Sequence, residues 1–331
     1  ARLVPAAILL DAALGFLGGG VRGSTSDWGQ MLAGAEHAIV GGDSAWWLLL
    51  FPGLALVVTV LAWRTLARTL PPAQAVPSPS VARAVASLPV IAGVAAVLFE
   101  VLPQRGTSLF HHSAIGAIWS HLSGTVSLLA GVAVLWLVLG PLVAVAAARW
   151  RGRAPYAAAF AVSCAPVFLL GLISVWLFAS DVGKVALLPG VGRYVGLTAD
   201  PGTWIGSLVL PWLVLGLWWT SVGLLDVRER VSAVLNAGFV RVARAKGLSA
   251  GRVFWRHVMR ALAPIFAGQL LRGLGVLLGG ALLTEVVFKL GGVGLLEYDA
   301  AHTGNVAIAQ WAGVLAAALV VVVALLRGIR R

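Results

Sequence analysis

The chain has 331 residues, of which 60% are hydrophobic and 11% are charged, and its mean hydropathy is +0.96. A soluble protein uses about a quarter of its residues for charge, so this composition excludes an ordinary soluble domain. The formal net charge of +12 is concentrated in particular loops, which argues against a nucleic-acid partner. The single cysteine, Cys164, excludes an intramolecular disulfide.

Long apolar runs predict an all-α polytopic membrane protein, because helices satisfy their own backbone hydrogen bonds inside a bilayer. The loops on one side of these runs hold most of the lysines and arginines, which predicts that this side is cytoplasmic. The fourteen tryptophans, several of them at span ends, are typical of anchors at the membrane interface. We predict eight spans, at about residues 1–17, 45–67, 84–101, 125–148, 156–179, 205–225, 263–287 and 306–326.

Two of these spans precede a proline-rich stretch, residues 71–83, that predicts a cytoplasmic linker because proline disfavours helix. The sequence DAALGFLGGG starts at Asp11, and EVVFKLGGVG starts at Glu285. In both stretches the acid is followed by glycines at plus seven and plus nine, then by an extracytoplasmic loop and a last span. This shared context predicts a duplicated element, with residues 1–70 as the tail of one repeat and 81–331 as a complete second copy.

The largest predicted cytoplasmic element is the loop 226–262, and its stretch FVRVARAKGLSAGRVFWRHVMR has no acidic residue. Its pattern predicts a helix, a turn and a second helix. Asn236 is the expected N-cap of the first helix and Ser249 that of the second. Gly247 fits the left-handed position just past a helix end.

Apolar side chains lie among the arginines of this loop, at Phe239, Val240 and Val242. Exposed apolar anchors inside a basic rim have the composition of a protein interface. The alternative that the pattern leaves open is a solvated basic loop lying on anionic lipid.

The loop sequence RVARAKGLS, residues 241–249, with RVFWRHVMRALAP after it, resembles the EAA-type loop of binding-protein-dependent ABC importer permeases. It is most similar to the dipeptide/oligopeptide/nickel branch. The stretch LGGALLTEVVFKLGGVG, residues 278–294, resembles that branch's fifth span and following loop. The acid of the EAA triplet is missing, and Gly291-Gly292 replaces the usual Pro-Gly.

This resemblance covers residues 84–331 as one six-span permease subunit, whereas residues 1–70 resemble the C-terminal end of its partner permease. We therefore expect the later portion of a fused permease. The resemblance implies the type I ABC importer permease fold and a role in peptide import across a bacterial inner membrane. Loop 226–262 and the C-terminus would be cytoplasmic.

The family also implies partners: ABC ATPase subunits that carry ATP and Mg, a second permease half, an extracytoplasmic substrate-binding protein and membrane lipid. This chain would be a transport subunit and no enzyme, with no cofactor or metal of its own, and no GxxxxGK[ST] occurs in it. The residues that would contact the ATPase are Phe239, Val240, Arg241, Val242, Ala243, Arg244, Ala245, Lys246, Gly247 and Leu248.

Two charged residues in the span 263–287 are candidates for the substrate pathway. Arg272 lies well inside that span, where facing lipid would cost at least ~2.5 kcal/mol. It is either a pathway charge for peptide carboxylate or carbonyl oxygens, or an ion pair that fixes packing. Glu285 lies near the outer end and either contacts substrate or caps the outer loop.

Three alternatives to peptide import remain open at this point. A nickel or nickel-chelate importer would share the architecture, although His111, His112 and His121 have no acidic or sulfur ligand close in their loop. An ion-coupled secondary carrier would act without an ATPase. A membrane scaffold would use the basic loop to recruit a soluble protein.

Overall fold

The computed structural model describes residues 4–18, 27–42, 46–69, 112–150, 153–180, 183–185, 187–303, 305 and 308. These residues form helices and no β-strand, which confirms the all-α prediction. The helices are α1 Val4–Phe16, α2 Trp28–Val40, α3 Trp46–Thr69, α4 His112–Arg149, α5 Ala154–Cys164, α6 Val167–Phe178, α7 Pro201–Leu235, α8 Gly238–Ala245, α9 Ala250–Val253, α10 Met259–Phe288 and α11 Val293–Thr303.

Among the described residues, four helical segments are long and apolar enough to cross a membrane. They lie in α3, α4, α7 and the continuous run from α9 through α10. Helices α5 and α6 would together make a fifth span. The predicted spans 84–101 and 306–326 and the linker 71–83 lie outside the described residues. The chain is thus a multi-pass membrane protein, but the count of eight spans is not confirmed.

The predicted span over 156–179 is not one straight helix, because α5 and α6 meet at an angle of 97°. The break falls at Ala165, whose ψ of 134° is the extended conformation favoured before Pro166. Arg64 of α3 donates from Nη1 to the carbonyl oxygen of Ser163 at 2.9 Å and to its hydroxyl at 2.7 Å. A cation at this helix end satisfies a carbonyl that the break leaves without a helical partner.

The helices of the N-terminal part pack against one another and against α5 and α6. Helices α1 and α2 approach closely, since a Cβ atom at Gly29 would lie 2.1 Å from the carbonyl oxygen of Ala12. The ring of Phe16 stacks on that of Phe168 with centroids 4.7 Å apart. Helices α1, α2 and α3 therefore contribute to the same packed bundle as the rest of the described chain.

Helix α7 begins at Pro201, four residues earlier than predicted. Asp200 caps it, because its carboxylate accepts the Thr203 hydroxyl at 2.5 Å and the Gly202 N–H at 2.9 Å. These two hydrogen bonds lower the pKa of Asp200. With 35 residues α7 is ~52 Å long, well beyond a ~30 Å hydrocarbon core. Its excess length carries the chain out to the basic loop.

Candidate functional site

The turn after α8 has the geometry predicted from Gly247. This residue has φ +73°, and its N–H donates to the carbonyl of Arg244 at 3.0 Å. The N–H of Leu248 donates to the carbonyl of Ala243 at 3.4 Å. The two bonds form a Schellman motif, in which a left-handed residue stops the helix. The position of Gly247 just past a helix end is confirmed.

The start of α8 differs from the prediction. Because α7 runs on to Leu235, Asn236 closes α7 instead of opening α8, and its backbone N–H donates to the Ser232 carbonyl at 3.1 Å. Ala237 takes the N-cap position of α8 and makes no side-chain hydrogen bond there. Ser249 does hold the N-cap position of α9, but its side chain makes no capping bond.

Helix α8 has one buried and one exposed apolar face. Val240 is fully buried and Ala243 is 5% exposed, whereas Phe239 and Val242 are 45% and 53% exposed. The prediction of an exposed Val240 is therefore wrong, because the helix packs on α9 and the turn that follows it. Phe239 and Val242 are three apart on one helix face. The remaining exposed residues of the segment are Arg241, Arg244, Ala245, Lys246 and Gly247.

The chain returns to the bundle through α9, a π-helical turn over Phe254–Val258, and α10. Val253, Val258 and Leu262 are buried at helical spacing on this return path, and Phe254 is partly buried. The π-turn adds a residue to the helix without breaking it, a feature often found at functional sites. We call α8, the Gly247 turn, α9 and the π-turn the basic hairpin, and α7 and α10 its two arms.

Two buried tryptophan rings, Trp136 and Trp219, join the two arms in the bundle core, and we call this cluster the tryptophan node. Trp136 of α4 donates its indole N–H to the carbonyl of Phe266 in α10 at 3.2 Å. A Cβ atom at Gly223 in α7 would lie 2.4 Å from Cη2 of Trp136, and one at Gly273 in α10 would lie 2.1 Å from Cη2 of Trp219. The two rings therefore pack against glycines of neighbouring helices and hold α4, α7 and α10 together.

For Trp136 and Trp219 the prediction of interface anchors is wrong, because they are 2% and 1% exposed. Trp136 lies inside the predicted span 125–148 and Trp219 inside the predicted span 205–225. This position away from any loop was the signal in the sequence that they are core residues. The glycines that receive their rings could not be paired with them from the sequence.

Arg272 forms an ion pair between the two arms. It is the fourteenth residue of the 30-residue α10, and its Nη2 lies 3.5 Å from Oδ2 of Asp226 in α7. The two side chains are 46% and 50% exposed. The ion pair is thus present, and its acidic member is a residue that sequence reasoning did not single out. Asp226 is easily missed because it was counted as the first residue of the cytoplasmic loop.

Glu285 caps helix α11 from within the bundle. Its Oε2 accepts the N–H of Gly294 at 2.6 Å and that of Leu295 at 3.4 Å, while Thr125 of α4 accepts the N–H of Val293 at 2.9 Å. A Cβ atom at Gly292 would lie 2.3 Å from Oε2, so glycine there lets the loop close on the carboxylate. The capping alternative for Glu285 is what the structure contains.

Replacing Glu285 with leucine is expected to loosen α11, because hydrogen bonds to a charged acceptor contribute about 1.5–3 kcal/mol each. We expect faster amide hydrogen exchange at residues 293–296, measured by mass spectrometry on the purified protein. Asp11→Leu is the matched control, since Asp11 holds the corresponding position in the predicted repeat but is exposed. Unchanged exchange in Glu285→Leu would contradict the capping role.

A second ion pair connects the N-terminal part to the loop after α10. Lys289 ends α10 in the left-handed conformation, and its Nζ lies 3.7 Å from Oε1 of the buried Glu36 in α2. In α11, the helix that follows this loop, burial of the Glu297 side chain raises the pKa of its carboxyl group. The end of α10 is therefore held by the ion pair to α2 and by the backbone N–H of Lys289, which donates to carbonyl oxygens of Glu285 and Val286.

No group of three or more His, Cys, Asp or Glu side chains able to hold a metal occurs in the described part of the chain. His121 lies 2.8 Å, through Nδ1, from the carbonyl oxygen of Ala117 one turn earlier in α4. His111 lies outside the described residues. The geometry around His121 is that of a helix side chain bonded to its own backbone.

The described chain is an apolar helical bundle, and its two long arms carry a hairpin with an exposed apolar face. These are features of a membrane transport subunit. Residues 136–329 match the family described as "Binding-protein-dependent transport system inner membrane component". The match covers more than half of the chain, which therefore belongs to this family of ABC importer permeases.

Individual relatives carry peptide-transport names. The dipeptide transport system permease DppC of Escherichia coli K12 is 51% identical over 57 residues, 17% of this chain and 18% of the relative. DppB of Alkalihalophilus pseudofirmus is 28% identical over 184 residues, 48% and 55% of the two chains. The glutathione transport system permease GsiC of Salmonella choleraesuis is 34% identical over 138 residues, 40% and 41%. The matched part of the chain covers at most 55% of the length of these three relatives.

Proposed function

We propose that this chain is a permease component of an ATP-driven, binding-protein-dependent importer of peptides. The basic hairpin would receive the movement of an ATPase subunit, and its arms would pass this movement to the bundle as alternating access. The observation that carries this proposal is the exposed pair Phe239 and Val242 on a helix whose other face is buried. A solvated topology loop needs no such division into faces.

The coupling contact would use the segment 239–248. Its exposed arginines and Lys246 form the basic rim around the apolar pair, and Val240 and Ala243 hold the helix on its own hairpin. Gly247 sets the angle between α8 and the segment that follows the turn. Because α7 and the α9–α10 run are continuous helices, a push on α8 is transmitted along rigid elements.

The names of the relatives support peptide cargo, including glutathione, which is itself a small peptide. The partners would be ATPase subunits that bind ATP and Mg, a second permease half and an extracytoplasmic binding protein. The loop 226–262 and the C-terminus would lie in the cytoplasm. Residues 1–70 would be the end of the partner-type half, and 84–331 the six-span half.

The test is uptake by the complete native complex in proteoliposomes, supplied with its binding protein and radiolabelled dialanine. We expect uptake that requires ATP and is competed by unlabelled dipeptide. Uptake by this chain without an ATPase would establish a secondary carrier instead. Stimulation by nickel but not by peptide would establish the metal importer, and a co-purified partner without ATPase activity would favour the scaffold.

A further inference from the structure

The pair of Asp226 and Arg272 links the two arms, yet about half of each side chain is exposed. Asp226 directly follows the predicted span 205–225, so the pair lies at the end of that span nearer the hairpin. An exposed charge pair is strongly unfavourable in hydrocarbon, so its exposed side faces a polar space. The nearest nitrogen–oxygen distance is 3.5 Å, longer than the 2.7–2.9 Å typical of a tight charge-assisted bond.

Further polar groups lie along the same seam between the arms. Gln269 precedes Arg272 by three residues and so lies on the same face of α10. It is 5% exposed, and its Oε1 has no hydrogen-bond partner among the described residues. The indole N–H of Trp219 in α7, one of the arms, is also buried without a partner in the described chain. Buried polar groups are normally satisfied, so both atoms indicate a ligand or a second arrangement of the seam.

We propose that Asp226 and Arg272 form a transit site for the charged termini of a peptide. Arg272 would take the α-carboxylate and Asp226 the α-ammonium, and the two side chains would separate to admit them. Gln269 and Trp219 supply an acceptor and a donor, the two groups that a peptide bond requires, once the arms open. This inference depends on the proposed function, because it assigns the seam between the arms to the same cargo.

The first experiment measures access of water-soluble reagents to the seam in the complete native complex. Cys164 is replaced by serine, and Arg272→Cys, Asp226→Cys and Leu217→Cys are made in that background. Leu217 is the matched control, because it is 54% exposed but lies nine residues from Asp226, on the opposite face of α7. Labelling by cationic and anionic methanethiosulfonates is followed by mass spectrometry at each position.

We expect Arg272→Cys to react with the cationic reagent at least ~5-fold faster than with the anionic one, because Asp226 remains beside it. Asp226→Cys is expected to show the reverse preference, and Leu217→Cys to react at least ~10-fold more slowly than either. Dialanine is expected to slow labelling at both seam positions. Failure of both seam positions to react in every nucleotide state would overturn the proposal.

The second experiment separates a substrate role from a packing role. Arg272→Gln is expected to lower uptake of dialanine at least ~10-fold and uptake of dialanine amide much less, since only the free carboxylate needs the guanidinium. An equal loss for both peptides, with restoration by the exchange of Asp226→Arg and Arg272→Asp, would show a packing pair only. Absence of ATP-dependent peptide uptake by the unaltered complex would instead refute the proposed function, and the labelling pattern would still report whether the seam faces water.

Discussion

Replacing Phe239 and Val242 together with aspartate is expected to abolish ATP-driven uptake while leaving the chain folded. Both side chains are about half exposed, so the change should alter the free energy of unfolding by no more than ~0.5 kcal/mol. At an interface, buried anchors of this kind contribute about 2 kcal/mol or more each. Loss of one such contribution weakens ATPase binding ~30-fold, since 1.4 kcal/mol is a factor of ten.

The measurement is the amount of ATPase that co-purifies with the permease, together with uptake in proteoliposomes. Leu197→Asp is the control, because Leu197 is 51% exposed but lies in a loop far along the chain from the basic hairpin. Its ATPase binding and uptake should match those of the unaltered protein. If the double variant binds the ATPase normally and retains uptake within twofold, the hairpin does not form the coupling contact.

Replacing Trp136 with alanine is expected to separate ATP hydrolysis from uptake and to destabilise the bundle. The ring fills the space over Gly223 and lies 4.8 Å from the ring of Phe266. Trp→Ala substitutions in cores cost about 3–5 kcal/mol. We expect ~3 kcal/mol, the lower end, because a lipid environment removes most of the hydrophobic transfer term and leaves the packing loss.

The expected fall in the thermal unfolding midpoint of the purified complex is ~6 to 12 °C. Trp136→Phe should lose about 1 kcal/mol, because it keeps an aromatic ring but not the donor to the Phe266 carbonyl. Trp119→Ala is the control on the same helix, since Trp119 is 69% exposed. The contradicting outcome is a Trp136→Ala complex that imports as much peptide per ATP hydrolysed as the unaltered complex. It would show that the tryptophan node is not needed to transmit movement between the arms.

The sequence predicted well wherever a property depends on residues that are neighbours in the chain. Long apolar runs require helices in a bilayer, and the family match and the described helices confirm a multi-pass permease. Gly247 was recognised because a helix end needs a left-handed residue, a requirement of its own backbone. The acid and glycines of the Glu285 stretch were recognised as a unit, although the spacing did not say what the carboxylate binds.

The tertiary structure decided everything that depends on contacts between distant segments. Arg64 and Ser163 are 99 residues apart, Trp136 and Phe266 are 130 apart, and Asp226 and Arg272 are 46 apart. Pro166 is a local signal for the break, but neither the Arg64 contact that closes it nor the node around Trp136 has a local signature, because each side chain alone is compatible with many partners. Which apolar residue of α8 is buried likewise depended on where the neighbouring helix lies. Chain-local chemistry therefore determined the class, the turn and the position of the break, whereas packing determined the Arg64 contact, the node and the seam.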